Sequence, residues 1–564
     1  MVAPAYRSRF PVIVPFEDKE KIKACPGSKW HAGADKHWSL PVSPLSAQRV
    51  HGYGWSVRPE DETMYRRLLG IYEMMGELAR TNPADLEPPP RTKLKPRLYQ
   101  IEGYHLLRIA RRALFGWDMG TGKTKGALDC VFNLPGILDG LILAPVSVCP
   151  VWVAEVAKHL PDGVLCRVLN LAGSGTVAKK AERAAQFLDA PAKPGEIRLV
   201  VINYESAWRP AFAAFVESRR WGIGILDEIH RIKSHDSIVN RFCTRVLRDR
   251  CTYRLGLTGT VLHNTPLDAY GQLLFIDPAV FGESIWRFRA RYSIPNPHFP
   301  KQITGYQNLD EMQKRMARYV LRVDADDVLD LPAWRDEVLP VVLPPDPRRA
   351  YKELEREFIA QIQDKIVTAA NGAVKGIRLQ QMTSGFVVDE EDRIAEVHDA
   401  KADRLIEFLS DLPADEPVPV FCMYRQDIAR VVRAASQAGR ESLLLCGGSN
   451  QLEAWKQNHA NAEVGKRGGV LAVQPKSGGV GVDMTIAKYA VYYSLGYISP
   501  GDYDQTRSRI RRHGQTRDVI WYHIVATDTV DELVYESIKN KKDTITGVID
   551  GLKAKSLGGK AKAS

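Results

Sequence analysis

Residues 115–129 read FGWDMGTGKTKGALD, and this stretch decides the fold that the sequence predicts. A short apolar run leads into two glycines and a Gly-Lys-Thr string, after which the pattern becomes helical, as in a phosphate-binding loop. Gly120 and Gly122 would let the backbone curl so that main-chain N–H groups face phosphate oxygens. Lys123 would then reach the β- and γ-phosphates of a nucleotide, and Thr124 would offer a hydroxyl to Mg²⁺.

A second stretch, GIGILDEIHRIKS at residues 222–234, supplies the partner that such a loop needs. An apolar strand brings Asp227 and Glu228 to its carboxyl end, where two adjacent carboxylates can divide the work. Asp227 would hold the Mg²⁺ shell, and Glu228 would position and deprotonate the attacking water. The loop departs from the strict GxxxxGK[ST] pattern, because Trp117 occupies the first glycine position. An ordinary glycine turn and a pair of solvated acids are the structural alternatives to a nucleotide site.

Two long regions share one rhythm, in which short apolar or β-branched runs are each followed by a helical pattern. Strands that alternate with helices predict parallel sheets covered on both faces, with ligands bound at the carboxyl ends of the strands. The fold class is therefore α/β, with two parallel-sheet lobes, helical insertions and a small α+β module at the N-terminus. The predicted strands are Arg112–Gly116, Leu141–Ala144, Arg198–Asn203, Gly222–Asp227 and Tyr253–Thr258 in the first lobe, and Pro419–Tyr424, Ser442–Cys446, Gly469–Gln474, Tyr489–Ser494 and Val519–Ala526 in the second.

The composition is that of a globular protein, with 564 residues, 45% hydrophobic and 26% charged. No run of uncharged apolar residues is long enough for a membrane span, and the N-terminus does not read as a signal peptide. The 8 cysteines show no CxxC spacing, which fits buried thiols in a reducing cytoplasm better than disulfides or zinc. The net charge of +11 suits a polyanionic partner, although proteins that bind no nucleic acid can carry a similar excess.

At this point the residues resemble a known group, the SWI/SNF-type ATPases of helicase superfamily two, through most of residues 93–540. The motifs follow the family's order and spacing, and LTGT followed by LL and DP is a family hallmark. Val261 stands where the family has proline, and Ser508 replaces an acid of the last motif. The matching segments are KPRLYQIEGYHLL (95–107), GWDMGTGKT (116–124), LILAPVSVCPVWVAEVAKHLP (141–161), VVINYES (200–206), DEIHRIKS (227–234), LTGTVLHNTPLDAYGQLLFIDP (257–278), VPVFCMYRQDIARV (418–431), QPKSGGVGVDMT (474–485) and QTRSRIRRHGQ (505–515).

The resemblance implies two RecA-like lobes that hydrolyse ATP with Mg²⁺. Its second lobe would present Gln505, Arg509 and Arg512 to the nucleotide, with Arg512 as the arginine finger; the alternative is a basic surface cluster that touches DNA phosphates. Thr258 and Thr260 would couple the nucleotide site to the DNA track. The nucleotide-binding residues implied are Gln100, which reads the adenine base, with Met119, Gly120, Thr121, Gly122, Lys123 and Thr124. The DNA contacts implied in the lobes are Ser147, Ser477, Gly478 and Gly479.

The N-terminal residues resemble the HARP domain that precedes the motor in annealing-helicase relatives. The shared features are a Pro26–Gly27 turn, the paired Trp30 and Trp38, and Lys36 between them. Aromatic rings beside lysines suit stacking on exposed bases and binding of phosphates. The alternative is that both tryptophans form the core of a very small domain.

The sequence thus predicts an ATP-dependent translocase that acts on duplex or branched DNA, in the cytoplasm, at the nucleoid or, for a phage-encoded chain, in the host cytoplasm. A strand-separating helicase or the motor subunit of a restriction or defence complex is the alternative, and protein partners stay open. The proline-rich DLEPPPRTK at 85–93 predicts a spacer that holds the first module away from the motor. The predicted segments are the HARP-like DNA-binding module 1–59, the helix and linker 60–92, the ATP-binding lobe 93–280, helical insertions and linker 281–390, the C-terminal lobe 391–550 and a basic tail 551–564.

Overall fold

We describe the chain from a computed structural model, which divides into two compact units, Met1–Val328 and Leu329–Ser564. Across the described part of the chain, no helix is both long and apolar enough to cross a membrane. Ser477, Gly478, Gly479 and the predicted tail 551–564 lie outside the described residues. The structure describes residues 8–32, 35–173, 175–262, 265–297, 303–363, 369–388, 391, 393–460, 469–475, 482–496 and 498–540.

The N-terminal module is a four-stranded antiparallel sheet in the order β2-β3-β1-β4, packed on one face by helices. Phe10, Leu40 and Val50 are fully buried in its core. A long amphipathic helix, α3 (Glu62–Leu78), follows the module and buries Leu68 and Met75. The elements of the module are β1 (Arg9–Ile13), α1 (Lys19–Ala24), β2 (Lys29–His31), β3 (His37–Pro41), α2 (Pro44–Gly52) and β4 (Ser56–Val57).

The rest of the first unit is built on a seven-stranded parallel sheet in the order β13-β5-β10-β9-β6-β8-β7. Its central strands are apolar on both faces because helices cover both, and Leu141–Ala144 are fully buried. The elements are α4 (Leu98–Ala110), β5 (Arg112–Trp117), α5 (Lys123–Asn133), β6 (Asp139–Ala144), α6 (Cys149–His159), β7 (Cys166–Asn170), α7 (Val177–Asp189), β8 (Ile197–Asn203), α8 (Tyr204–Ala207), α9 (Pro210–Glu217), β9 (Trp221–Asp227), α10 (Ile238–Arg241), β10 (Cys251–Thr258), α11 (Ala269–Ile276), α12 (Ile285–Tyr292), β11 (Ser293–Pro295), β12 (Ile303–Tyr306), α13 (Leu309–Met316), β13 (Val320–Val323) and α14 (Ala325–Val328).

The second unit has its own seven-stranded sheet, in the order β14-β22-β21-β17-β20-β18-β19, parallel except for the β18–β19 hairpin. Apolar clusters cover both faces of this sheet. The elements are β14 (Trp334–Val341), α15 (Pro345–Gln363), α16 (Ala369–Thr383), β15 (Phe386–Val388), β16 (Ile394–Glu396), α17 (Ala400–Asp411), β17 (Val418–Phe421), α18 (Arg425–Gln437), β18 (Ser442–Cys446), β19 (Ser449–Asn450), α19 (Leu452–Ala460), β20 (Val470–Val473), β21 (Tyr489–Tyr492), α20 (Pro500–Arg507), β22 (Val519–Ala526) and α21 (Val530–Lys539).

The predicted α/β class with two parallel-sheet lobes is confirmed. The segment 281–390 needs a correction, because it is more than helical insertions and a linker. Its strand β13 extends the first sheet beside β5, and its strand β14 forms the edge of the second sheet beside β22. Both are edge strands, which pair on one side only.

The N-terminal module packs directly against the sheet unit that follows it. The Ser43 hydroxyl donates a hydrogen bond to the fully buried carboxylate of Asp277, and the Arg49 guanidinium donates to the Ala279 carbonyl at 2.7 Å. The prediction that residues 85–93 hold the module at a distance is therefore wrong. A polar contact set, rather than the stiffness of a proline-rich linker, fixes the position of the module.

Candidate functional site

The carboxyl ends of three neighbouring strands meet at the predicted phosphate loop. In the sheet, β10 lies between β5 and β9, with Thr258 opposite Gly116 and Leu257 opposite Asp227. The loop that follows β5 and the acid pair that ends β9 therefore flank the end of β10. This is the edge at which parallel α/β sheets bind ligands.

The phosphate loop turns through two left-handed glycines between β5 and α5. Gly120 and Gly122 have φ angles of 81° and 83°, a conformation that side chains disfavour. The Lys123 ammonium lies over the loop and donates to the carbonyls of Trp117, at 2.9 Å, and Asp118, at 3.2 Å. A phosphate is a stronger partner for this ammonium than a neutral carbonyl, so the residues present fit a nucleotide.

Helix α4 ties the predicted base-reading residue to the loop. The side chain of Gln100 is almost fully buried; its amide nitrogen donates to the Gly122 carbonyl at 3.2 Å, and its oxygen accepts from the Arg97 N–H at 2.9 Å. The Tyr99 hydroxyl donates to the Thr121 carbonyl at 2.5 Å. Gln100 and Tyr99 thus position the phosphate loop, a role that the sequence did not reveal.

Trp117, the departure from the general loop pattern, fills the space beneath the loop. Its fully buried ring stacks on Phe115 with centroids 4.2 Å apart and meets the Tyr99 ring edge at 5.1 Å. A β-carbon at Gly126 would lie 2.6 Å from this ring, and one at Gly103 would lie 2.9 Å from it. These two helical glycines therefore make room for the tryptophan ring. They are the sequence feature from which the buried position of Trp117 could have been predicted.

The acid pair lies at the end of β9 in a protected environment. Asp227 Oδ2 accepts from the Trp152 indole at 2.9 Å, and the Asp227 carbonyl accepts from the Tyr204 hydroxyl at 2.7 Å. Burial and the charge of Glu228 raise the pKa of Asp227, while the nearby Lys123 ammonium opposes that rise. A buried carboxylate beside a phosphate loop has the chemistry of a Mg²⁺ ligand, and the Thr124 hydroxyl is a second oxygen donor at the start of α5.

Glu228 connects the acid pair to the end of β10. Its backbone is left-handed, with a φ of 52°, and its N–H donates to Asp227 Oδ1 at 3.0 Å. His230 Nδ1 lies 3.3 Å from Glu228 Oε2 and 3.2 Å from the hydroxyl of Thr258. The Thr258 hydroxyl in turn accepts from the Thr260 N–H at 3.0 Å. A continuous polar path therefore runs from the proposed base to the two threonines predicted to couple it to DNA.

The last motif lies in the second unit and its arginines have different surroundings. Arg507 stacks 3.8 Å from the centroid of the Trp334 ring, and its guanidinium lies 3.4 Å from Asp336, so it holds the edge strand β14. Arg509 is almost fully buried, whereas Arg512 is half-buried and donates to the Val482 carbonyl at 3.4 Å. Gln505 lies half-buried on α20. These three arginines therefore do not form one uniform basic surface.

The predicted DNA contacts that the structure describes lie on the surface of the first unit. Ser147 is exposed in the turn between β6 and α6. Trp30 and Trp38 face each other across β2 and β3 with centroids 5.2 Å apart. Trp30 is 45% exposed, whereas Trp38 packs against the core of the module. Trp30 and the exposed Lys36 are therefore the accessible members of the predicted set.

Comparisons with known proteins agree with these motifs. The family model described as SNF2-related domain matches residues 65–392. Putative protein p41 of Acyrthosiphon pisum secondary endosymbiont phage 1 is 26% identical over 82% of this chain and 99% of its own length. The mouse chromodomain-helicase-DNA-binding protein 1-like is 24% identical over 84% of this chain and 52% of its own length. The mouse DNA annealing helicase and endonuclease ZRANB3 is 24% identical over 82% of this chain and 41% of its own length.

The chain therefore spans about half the length of the mouse relatives or less, and nearly all of the phage protein. Among solved structures, the Sulfolobus solfataricus SWI2/SNF2 ATPase core in complex with dsDNA matches 83% of this chain at 19% identity, with a TM-score of 0.39.

Proposed function

Because the chain belongs to the SNF2-related domain family, we propose that it hydrolyses ATP to move along duplex DNA and so remodels branched DNA or protein–DNA complexes. The observation that carries this proposal is the convergence of the phosphate loop and the acid pair at neighbouring strand ends of one sheet. ATP hydrolysis needs both groups at one site, and their convergence supports the proposal.

The hydrolytic step assigns one task to each side chain. Lys123 binds the β- and γ-phosphates, and Asp227 with Thr124 would hold Mg²⁺, which neutralises phosphate charge when bound. Glu228 accepts a proton from the attacking water, and its contact with His230 orients its carboxylate. Arg512, from the second unit, would stabilise the charge that develops on the γ-phosphate oxygens.

Three facts support DNA as the track. The net charge of +11 favours a polyanion. The relatives named above include a chromodomain-helicase-DNA-binding protein and a DNA annealing helicase. Ser147 is exposed beyond the end of β6, where a small hydroxyl can approach a phosphate closely. Ser477, Gly478 and Gly479 stay predicted contacts.

The test is ATP turnover by the purified chain without DNA and with single-stranded, duplex or forked DNA. We expect duplex DNA to stimulate turnover in the wild type and not in the Lys123→Ala variant. Turnover that no DNA affects would remove DNA from the proposal and leave an ATPase with another track.

Translocation and strand separation are distinguished by a second assay. We expect ATP-dependent displacement of the third strand from a triplex, with little separation of a duplex that carries a single-stranded tail. Robust separation of the tailed duplex without triplex displacement would favour a strand-separating helicase. Activity that appears only after other subunits are added would favour the motor of a restriction or defence complex.

A further inference from the structure

A basic cavity lies where the N-terminal module meets helix α12. Its volume is about 530 Å³, within the range of ordinary ligand sites. Four arginines and one lysine line it against the single carboxylate of Glu283. Glu283 is already paired, because it lies 2.8 Å from Arg9 and 3.6 Å from Arg248. The cavity is therefore cationic.

Three of the cations in this cavity have no acidic partner of their own. Within the described residues, no carboxylate lies within 4.0 Å of Lys29, Arg49 or Arg287. Arg49 and Arg287 instead donate to backbone carbonyls, those of Ala279 at 2.7 Å and Lys23 at 3.1 Å. These acceptors are neutral, so no carboxylate is bonded directly to either guanidinium.

The electrostatics of Arg49 support the same reading. Burial is the largest cause that lowers the pKa of Arg49, and the positive charge of Arg315 lowers it further. Arg315 and Arg291 share the carboxylate of Glu311, with the Arg315–Glu311 contact at 2.7 Å. A concave site that holds like charges together is stabilised by an anion.

An aromatic ring stands at the rim of the cavity. Tyr53 lines it, is 47% exposed, and stacks on Trp55 with centroids 4.6 Å apart, which fixes the orientation of the ring. Lys29 and Arg287 are exposed at the same cavity. An oriented ring beside a row of cations is the arrangement that binds a single nucleic-acid strand, because bases stack on the ring while phosphates meet the cations.

The two walls of the cavity are held together, so the site is built into the fold. The Ser43–Asp277 and Arg49–Ala279 hydrogen bonds fix the module on the first unit. Gly282 also approaches the Gly27 backbone so closely that a β-carbon there would lie 2.8 Å from the Gly27 nitrogen. We infer that this cavity binds an unpaired DNA strand, with phosphates at Lys29, Arg49 and Arg287 and a base on Tyr53.

This inference rests on the proposed function and places strand recognition at the junction rather than only at Trp30. Lys29 and Trp30 are adjacent in β2, so their side chains point to opposite faces of the sheet. Trp30 faces Trp38 and the core side, whereas Lys29 faces the cavity. The junction site is therefore separate from the predicted tryptophan site.

The test measures binding of a fluorescent oligo-dT strand to the full chain by anisotropy at several salt concentrations. Lys29→Gln should reduce the slope of log Kd against log salt by about 0.7, the value for one phosphate contact on a single strand. Tyr53→Leu should weaken binding about five- to hundredfold with little change in slope, as expected when one base loses its stacking partner. Lys179→Gln removes another exposed lysine, on α7, and this variant should bind as the wild type does.

Lys29→Arg should restore the slope, because a guanidinium also binds phosphate. Thermal unfolding of each variant checks that it folds. If correctly folded Lys29→Gln and Tyr53→Leu bind the strand with wild-type affinity and slope, the inference is overturned. Binding of AMP that the DNA strand does not displace would also overturn it, since the site would then take a free nucleotide. Failure of the proposed function looks different, because ATP turnover of the wild type would not respond to any DNA.

Discussion

Glu228 is the residue at which the backbone leaves ordinary strand geometry. A left-handed conformation costs a residue with a side chain roughly 1–2 kcal/mol, and Glu228 adopts it with a φ of 52°. The Asp227 carboxylate, the Glu228 N–H and His230 hold this geometry. Strained backbone of this kind is often found at functional sites, which supports the proposed role of Glu228 as the general base.

Replacing the two central groups of the nucleotide site should give two different defects. Lys123→Ala should abolish ATP turnover, because the phosphates lose their cation. Glu228→Gln keeps the shape of the side chain and should still bind Mg-ATP, while hydrolysis falls by about 10²–10⁴, the range for loss of a general base. Turnover and binding of a fluorescent nucleotide measure the two effects. Wild-type turnover in either variant would contradict the proposed site.

Arg512 offers a test of the arginine-finger prediction. Arg512→Ala should lower kcat by about 10³-fold or more, since a finger stabilises transition-state charge. Duplex affinity and its salt slope should hardly change. Arg512→Lys keeps the charge but loses the forked geometry, so it should stay defective.

A different outcome would reassign Arg512. In that outcome, saturating duplex would restore turnover in Arg512→Ala. The slope of log Kd against log salt would also fall by about 0.9, the value for one phosphate contact on duplex DNA. Arg512 would then be a residue that binds a DNA phosphate. The finger role would then move to Arg509, whose side chain is 6% exposed in the second unit.

At the scale of elements, the aromatic packing beneath the phosphate loop depends on two helical glycines. Gly126→Ala should destabilise the protein by about 1–3 kcal/mol, the usual cost of overpacking, because its β-carbon would lie 2.6 Å from the Trp117 ring. Since α5 carries the loop, the KM for ATP should rise as well. Gly70→Ala on α3 is the matched control, because nothing lies within 4 Å of its β-carbon.

Gly70→Ala should instead stabilise the protein by about 0.4–1 kcal/mol, because alanine restricts the unfolded chain. Thermal unfolding and ATP kinetics of both variants check the pair. Equal stability changes in the two helices would show that the tryptophan does not need the space at Gly126.

The strands that could be predicted are those whose local sequence of apolar residues is enough to identify them. Inner strands such as β8 and β22 are mostly apolar because helices cover both faces, and their bounds were predicted within one residue. Edge strand β14, WRDEVLPV, exposes Arg335 and Glu337 and is a strand because it pairs with β22. Such long-range pairing leaves no local pattern.

The same distinction holds for the candidate site. The phosphate loop and the acid pair each follow an apolar strand, so their positions could be predicted. The contacts of Gln100 with the loop and of Tyr204 with Asp227 could not, because they join segments that are distant in sequence. Prediction of the packing role of Trp117 would have required its ring to be considered together with the glycines at 103 and 126, which are distant in sequence from each other.

At the scale of the whole molecule, the N-terminal module, the linker and the ATP-binding lobe, which the sequence analysis treats as separate segments, belong to one compact unit. Asp277 is the penultimate residue of the motif LTGTVLHNTPLDAYGQLLFIDP, and its carboxylate accepts a hydrogen bond from Ser43 of the N-terminal module. It also accepts from Tyr319 and lies 3.3 Å from Arg112 at the start of β5, the strand that leads to the phosphate loop. Docking of the module is thus linked through one carboxylate to the strand beneath the nucleotide site.

Removal of the module should therefore damage the first unit. A protein that begins at Glu60 uncovers Asp277 and loses the Ser43 and Arg49 hydrogen bonds, so we expect a lower Tm and weaker ATP turnover. Thermal unfolding with and without ATP, and turnover on plain duplex, measure the effect. A truncated protein with the Tm and turnover of the full chain would show that the docking contacts contribute no stability.

Substitution of two serines at the start of α2 tests the docking contact without removing the N-terminal module. Ser43→Ala removes the donor to Asp277 and the cap that accepts from the Leu45 N–H, so it should cost about 1–3 kcal/mol of unfolding free energy. Ser46→Ala is the control: its hydroxyl is fully buried and has no hydrogen-bond partner among the described residues. Losing an unsatisfied hydroxyl should leave stability unchanged or raise it slightly. Because Asp277 also contacts Arg112, Ser43→Ala should raise the KM for ATP along with its effect on stability, whereas Ser46→Ala should leave the KM unchanged. A stability loss in Ser43→Ala with an unchanged KM would confine the role of Asp277 to docking.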